Sequence, residues 1–137
     1  MDGARSSEAA AVFRKYVQAF QTLDPRAVVP FYDQPALTIT PMGVFALPDG
    51  AAVEGMYRQV MKPLPGLGYA RTELSPLEEK HLGEDLVVVS GVGVWRTASG
   101  EELRRFGMTC TLRRDSQAWR FVVLAVHDPE ATETRHA

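Results

Sequence analysis

Few residues of this chain could move a proton near neutral pH. There are three histidines, His81, His127 and His136, and one cysteine, Cys110. Histidine is the side chain that ordinarily titrates between about pH 5 and 8, so an acid–base step would fall to it first. The three histidines stand at no metal-ligand spacing, and a lone cysteine cannot build a thiolate site, so no metal is expected. There is no glycine-rich phosphate loop and no nucleophile elbow, and no cofactor is expected either. Tyr16, Tyr32 and Tyr57 offer hydroxyls that keep their protons at neutral pH and can donate or accept hydrogen bonds. Asp24, Asp33, Glu101 and Glu102 read as cap and turn residues rather than as acids or bases.

The elements that must position these groups are legible from periodicity. Three long strands are expected late in the chain: Leu86 to Thr97, Glu102 to Arg114 and Ala118 to Asp128, joined by short polar turns. Before them, Ser6 or Ser7 followed by Glu8 reads as a helix start, and Val12, Phe13, Tyr16, Val17 and Phe20 recur at helical spacing. Asp24-Pro25 opens a second, short helix. Ala36 to Thr40 reads as a strand, broken by Pro41-Met42-Gly43 and followed by a short return strand, Val44 to Leu47. Val53, Met56, Tyr57 and Val60 mark a third helix, flanked by a Glu54–Arg58 pair. Tyr69 to Leu82 is polar and carries Pro76 near its middle, which predicts a bulge or an edge position. The expected order is helix, helix, strand, strand, helix and four strands, an α+β fold with three helices on one curved, mainly antiparallel sheet. A single domain over residues 6–130 is expected, with flexible ends at 1–5 and 131–137.

The last strand bears apolar residues on both alternating sets. Trp119, Phe121, Val123, Ala125 and His127 fall on one face, and Val122, Leu124 and Val126 on the other. Helices can cover only one face, and exposing the other would forfeit about 1.5–3 kcal/mol for each large aliphatic side chain. A homodimer packed sheet against sheet is therefore expected. On the helix-covered side, Gly91, Gly93 and Gly107 predict curvature or open space, and with it a ligand cavity.

A net charge of −2 on 137 residues argues against nucleic acid as a partner. The pairs Arg104-Arg105 and Arg113-Arg114 read as solvated charges at the ends of one strand. No apolar run reaches the ~20 residues of a membrane span, and no basic segment precedes an apolar one as in a signal peptide. With a single cysteine, a reducing cytoplasmic setting is expected.

In the order of its elements the chain resembles the nuclear-transport-factor-2-like superfamily, a cone-shaped α+β fold shared by ketosteroid isomerases and SnoaL-type cyclases. The segments KYVQAFQTLDPRAVVPFYD, TPMG and MYRQ are most similar to the isomerases. That resemblance implies that Tyr16 is the oxyanion donor and that Tyr32 and Tyr57 support it. It puts Thr40 where the isomerases keep their proton-shuttling aspartate, and Cys110 near their second aspartic acid. Threonine cannot abstract the proton, so steroid isomerisation is not expected. The same register implies that Val123 and His127 face the pocket, beside Phe20 and Trp119. His127 would then be an acid–base group partnered by Tyr16, or else a strand-end histidine bonded or solvated near Asp128. Two functions follow: a pocket for an unidentified small apolar molecule, with or without isomerase, dehydratase or cyclase chemistry, or a non-catalytic accessory domain whose cone is only core.

Overall fold

The computed structural model describes residues 2–115 and 118–130, with side chains from Glu8 onward. Helix α1 (Asp2–Gln21) runs first, then α2 (Pro25–Val28) and a 3-10 turn (Val29–Phe31). Strands β1 (Tyr32–Thr40) and β2 (Gly43–Leu47) form a hairpin that leads into α3 (Gly50–Met61). A second 3-10 turn (Pro65–Leu67) precedes β3 (Tyr69–Leu74), β4 (Glu78–His81), β5 (Leu86–Thr97), β6 (Glu102–Arg114) and β7 (Trp119–His127). Among the described residues the architecture is α+β, with three helices packed on one curved, open sheet of seven strands.

Local chemistry explains where the elements begin. Asp24 accepts the Arg26 N–H at 3.0 Å and caps α2, whose first residue is Pro25. Asp49 does the same for α3 through the Ala52 N–H at 3.0 Å. α1 starts at Asp2, ahead of the hydroxyl cap expected at Ser6 or Ser7. β1 starts at Tyr32 rather than Ala36, so Asp33 lies in the strand, where its carboxylate accepts the Gln34 N–H and faces Arg113. The polar stretch 69–82 is divided at Pro76 into β3 and β4, which both pair with β5. Proline has no N–H to give to a ladder, so five strands follow α3 where four were expected.

The sheet runs β2-β1-β7-β6-β5-β3, with β4 alongside β5. Every pair is antiparallel except β1 with β7, which are parallel. On the helix side, Phe13, Tyr16, Val17 and Phe20 of α1 and Val53 and Tyr57 of α3 pack on Val87, Val89, Cys110, Leu112 and Phe121. Among the described residues no helix is long and apolar enough to cross a membrane.

One irregularity decides which side chains reach the interior. Opposite β6, Phe121 pairs with Leu112 and Val123 with Thr111, so Val122 is an extra residue in β7. Such a bulge exchanges the two faces of everything beyond it. Trp119 and Phe121 point inward before it, and Leu124 points inward after it, all three buried. The inner face therefore carries the row Thr38, Leu124, Cys110, Val89, while the outer face carries Leu37, Val123, Thr111, Val88 and then Ile39, Ala125, Thr109, Ser90.

Candidate functional site

Between α1, α3, the β1–β2 turn and the inner faces of β5, β6 and β7 lies a cavity of about 280 Å³. Its wall is mainly apolar: Val17, Phe20, Met56, Val60, Trp95, Phe106, Met108, Leu124 and Val126. Thr40, Pro41 and Met42 of the β1–β2 turn and Arg104 of β6 also line it. Curvature at Gly93 is bound up with this wall. A Cβ there would stand 2.9 Å from the Phe106 ring, so the missing side chain is what lets Phe106 lie across β5.

The polar feature of the wall is a chain of three tyrosine hydroxyls. Tyr16 comes from α1, Tyr57 from α3 and Tyr32 from the start of β1. The Tyr16 and Tyr57 hydroxyls are 2.7 Å apart, and the Tyr57 hydroxyl is also bonded to that of Tyr32. The rings pack edge to face, with Tyr16 centred 5.0 Å from Phe121 beneath it. Burial in this apolar nest pushes all three hydroxyls well above the ordinary tyrosine value, and the neighbouring tyrosines add to it. Each is a neutral donor–acceptor at any physiological pH. Tyr16 and Tyr57 face the cavity and Tyr32 lies behind them.

The threonines around this chain are spoken for. The Thr38 hydroxyl donates to the Leu124 carbonyl at 3.1 Å, tying β1 to β7 from within the core. Thr40 accepts the Met42 N–H at 3.0 Å, which fixes the β1–β2 turn. Thr72 shares its hydroxyl with Tyr69 at 2.7 Å. Among the described residues no carboxylate or histidine lines the cavity. Among the described residues no three histidine, cysteine, aspartate or glutamate side chains gather as a metal site would need.

Residues 7–129 match the family described as NTF2-like protein (DUF6841). The chain belongs to this NTF2-like family. No curated protein matches it in sequence. Among solved structures it is similar to an NTF2-like protein with a cystatin-like fold from Novosphingobium aromaticivorans, at 19% identity and a TM-score of 0.76, over 90% of this chain and 81% of that one. It is similar also to Aln2 from a Streptomyces species, at 14% identity and a TM-score of 0.75, over 96% and 95% of the two chains. A protein of unknown function from Nostoc punctiforme aligns at 7% identity and a TM-score of 0.74, over 89% of each chain. At these identities the likeness is one of fold.

Within this NTF2-like fold the residues singled out from sequence separate into four groups. Tyr16, Phe20, Thr40 and Tyr57 come together on the cavity wall. Tyr32 and Cys110 are buried behind it, and burial raises the Cys110 thiol far above its ordinary value. Trp119 is buried at the other end of β7 under the Arg114 guanidinium, beside a separate open groove that also touches Glu8, Lys15 and Asp85. Val123 and His127 are on the outer face, opposite to the expectation, because the Val122 bulge falls before them. His127 lies over Gly107, bonds Thr109 Oγ1 through Nε2 at 2.8 Å, and directs Nδ1 at the Asp128 carbonyl at 2.9 Å. A carbonyl only accepts, so Nδ1 carries the proton in the neutral ring and Nε2 accepts from Thr109. His127 is thus a bonded strand-end histidine outside the cavity. Trp95, Arg104, Phe106 and Met108 were missed as wall residues; the alternation of β5 and β6 placed them on one face, and only the helix positions show that this face is the hollow one.

Proposed function

We propose that this NTF2-like protein holds a small, mainly apolar ligand in the cavity and receives one oxygen of it, such as a ketone carbonyl, on the Tyr16 hydroxyl. A count of protons carries this reading. The Tyr16–Tyr57–Tyr32 chain has a proton on each hydroxyl but only two bonds to use them, so one is left over. Run from Tyr32 through Tyr57 to Tyr16, the bonds leave the spare proton facing the cavity. Run the other way, they leave it on Tyr32, behind the wall, with the Tyr16 hydroxyl as its remaining neighbour. A buried unsatisfied hydroxyl costs about 1–3 kcal/mol. The run toward the cavity, completed by a ligand oxygen, is the favoured state.

A carbonyl held in this way is polarised, but isomerase, dehydratase or cyclase chemistry also needs a proton acceptor. Among the described residues the wall offers none, with Thr40 committed to its turn and His127 on the far side of the sheet. Binding is therefore what the chain's own groups support. The alternative of an accessory domain with a filled interior is disfavoured by the cavity itself. The test compares 2-acetonaphthone with 2-ethylnaphthalene by calorimetric titration. The ketone should bind about tenfold more tightly, the worth of one buried hydrogen bond, and Tyr16→Phe should abolish the margin. Equal affinities in the native protein, or no binding of either, would overturn the reading.

We further infer a homodimer through the outer sheet face. The two rows Leu37, Val123, Thr111, Val88 and Ile39, Ala125, Thr109, Ser90 contain no charge, and each member is partly exposed. Such a face resembles the core of an interface between copies rather than a solvated surface.

A further inference from the structure

We infer that the ligand is an amphipathic anion, an apolar body bearing a carboxylate or a similar group, and that Arg104 at the cavity mouth receives the charge. The inference rests on the cavity reading above and specifies its ligand class. Arg104 and Arg105 are adjacent in β6 and so point to opposite faces. Arg105 turns outward and meets Glu102 at 3.0 Å. Arg104 turns inward opposite Trp95 and lines the cavity, with its guanidinium carbon 5.9 Å from the centre of the Trp95 ring. That platform is fixed: Trp95 stacks on Phe20 at 5.8 Å and meets Phe106 edge-on at 5.4 Å. A guanidinium laid on an indole keeps its N–H edge free to bond an oxygen anion in two places.

The other arginines of β5 and β6 are neutralised. Arg96, Arg105, Arg113 and Arg114 each have a carboxylate within 3.5 Å. Arg104 has no such partner among the described residues, and no residue of the cavity wall is acidic. In a chain of net charge −2, an unpaired cation is thus held at the entrance of an apolar hollow. An anion bound there gains a charge-assisted bond and remains partly hydrated, while its apolar body fills the interior. This division needs no buried unpaired charge.

The probes are 2-naphthylacetate and its neutral amide, 2-naphthylacetamide, titrated at low salt against the full chain. The acid should bind about tenfold more tightly than the amide, as expected for one charge-assisted contact. Arg104→Gln should remove that margin by weakening the acid and leaving the amide unchanged. Arg105→Gln, on the outer face, should preserve it, and added salt should erode it. A margin absent from the native protein, or one that survives Arg104→Gln, overturns this inference alone provided 2-acetonaphthone still binds. If 2-acetonaphthone fails as well, the cavity reading is lost and the anion goes with it.

Discussion

Replacing Tyr57 by phenylalanine removes one oxygen from the middle of the hydroxyl chain and little volume. Its effect should nonetheless exceed that of the same change at Tyr16. Tyr57 bonds both partners, and Tyr16 and Tyr32 are joined through it. Without it the Tyr32 hydroxyl, on a residue 2% exposed, loses its short bond, at a cost of about 1–3 kcal/mol. The Tyr16 hydroxyl faces the cavity and can turn to solvent there, so its loss is nearer about 0.5–1 kcal/mol. Together the change should destabilise the fold by about 1.5–4 kcal/mol. Tyr16→Phe instead leaves the Tyr57–Tyr32 bond intact and should cost about 0.5–1.5 kcal/mol. Urea unfolding followed by tryptophan fluorescence gives both numbers, with unchanged m-values confirming that the same surface is exposed. The double variant should cost less than the two singles added, because they share one bond. If Tyr57→Phe proves no more damaging than Tyr16→Phe, the three hydroxyls do not act as a linked chain, and the proton count behind the carbonyl site fails.

The remaining predictions concern pH and the two faces of the last strand. The buried tyrosines have folded pKa values raised above their unfolded ones, so above about pH 10 the unfolded chain loses protons that the native state keeps. Their contribution is complete below that pH and declines above it, by up to about 1.4 kcal/mol per pH unit for each tyrosine. Urea midpoints taken from pH 7 to 11 should fall on the alkaline side, and less steeply in Tyr32→Phe; a level profile would contradict the burial argument. Leu124→Asp should unfold the protein, since it places a carboxylate among buried side chains at a cost of several kcal/mol. Val123→Asp, one residue away, should leave circular dichroism intact and shift sedimentation velocity from dimer to monomer. A Val123→Asp protein that still sediments as a dimer would remove the outer face from the interface.

Much of the fold could be read from the residue pattern because its signals were local. β5 and β6 run over the residues that alternation and turn chemistry assign them, and the Asp24-Pro25 cap opens α2 where expected. The split at Pro76 was half legible: proline marks the site, but only pairing with β5 shows whether it bends one strand or ends it. The parity of β7 was hidden for a specific reason. In the run FVVLAV every residue is apolar, so a one-residue slip at Val122 changes which side chains go inward without changing the pattern. No glycine or proline announces the bulge. Helix periodicity fixes the faces on which Tyr16 and Tyr57 lie, whereas Val123 and His127 lay downstream of the slip. Arg104 read as a solvated charge like its neighbours, since a carboxylate's distance is a tertiary fact.

The β1–β2 turn that forms one side of the cavity mouth has a consequence for what the cavity accepts. Thr38 anchors β1 deep in the core, but beyond it the turn projects at the margin of the sheet, and Met42 is 90% exposed. The facing side rests on Trp95, which is paired with Thr72 and Arg104 on its two flanks and braced by the Phe20 and Phe106 rings. The two jaws are therefore unequal in stiffness. A guest bulkier than the cavity will be tolerated where it swells toward Met42 and refused where it swells toward Trp95, so selectivity by size is directional.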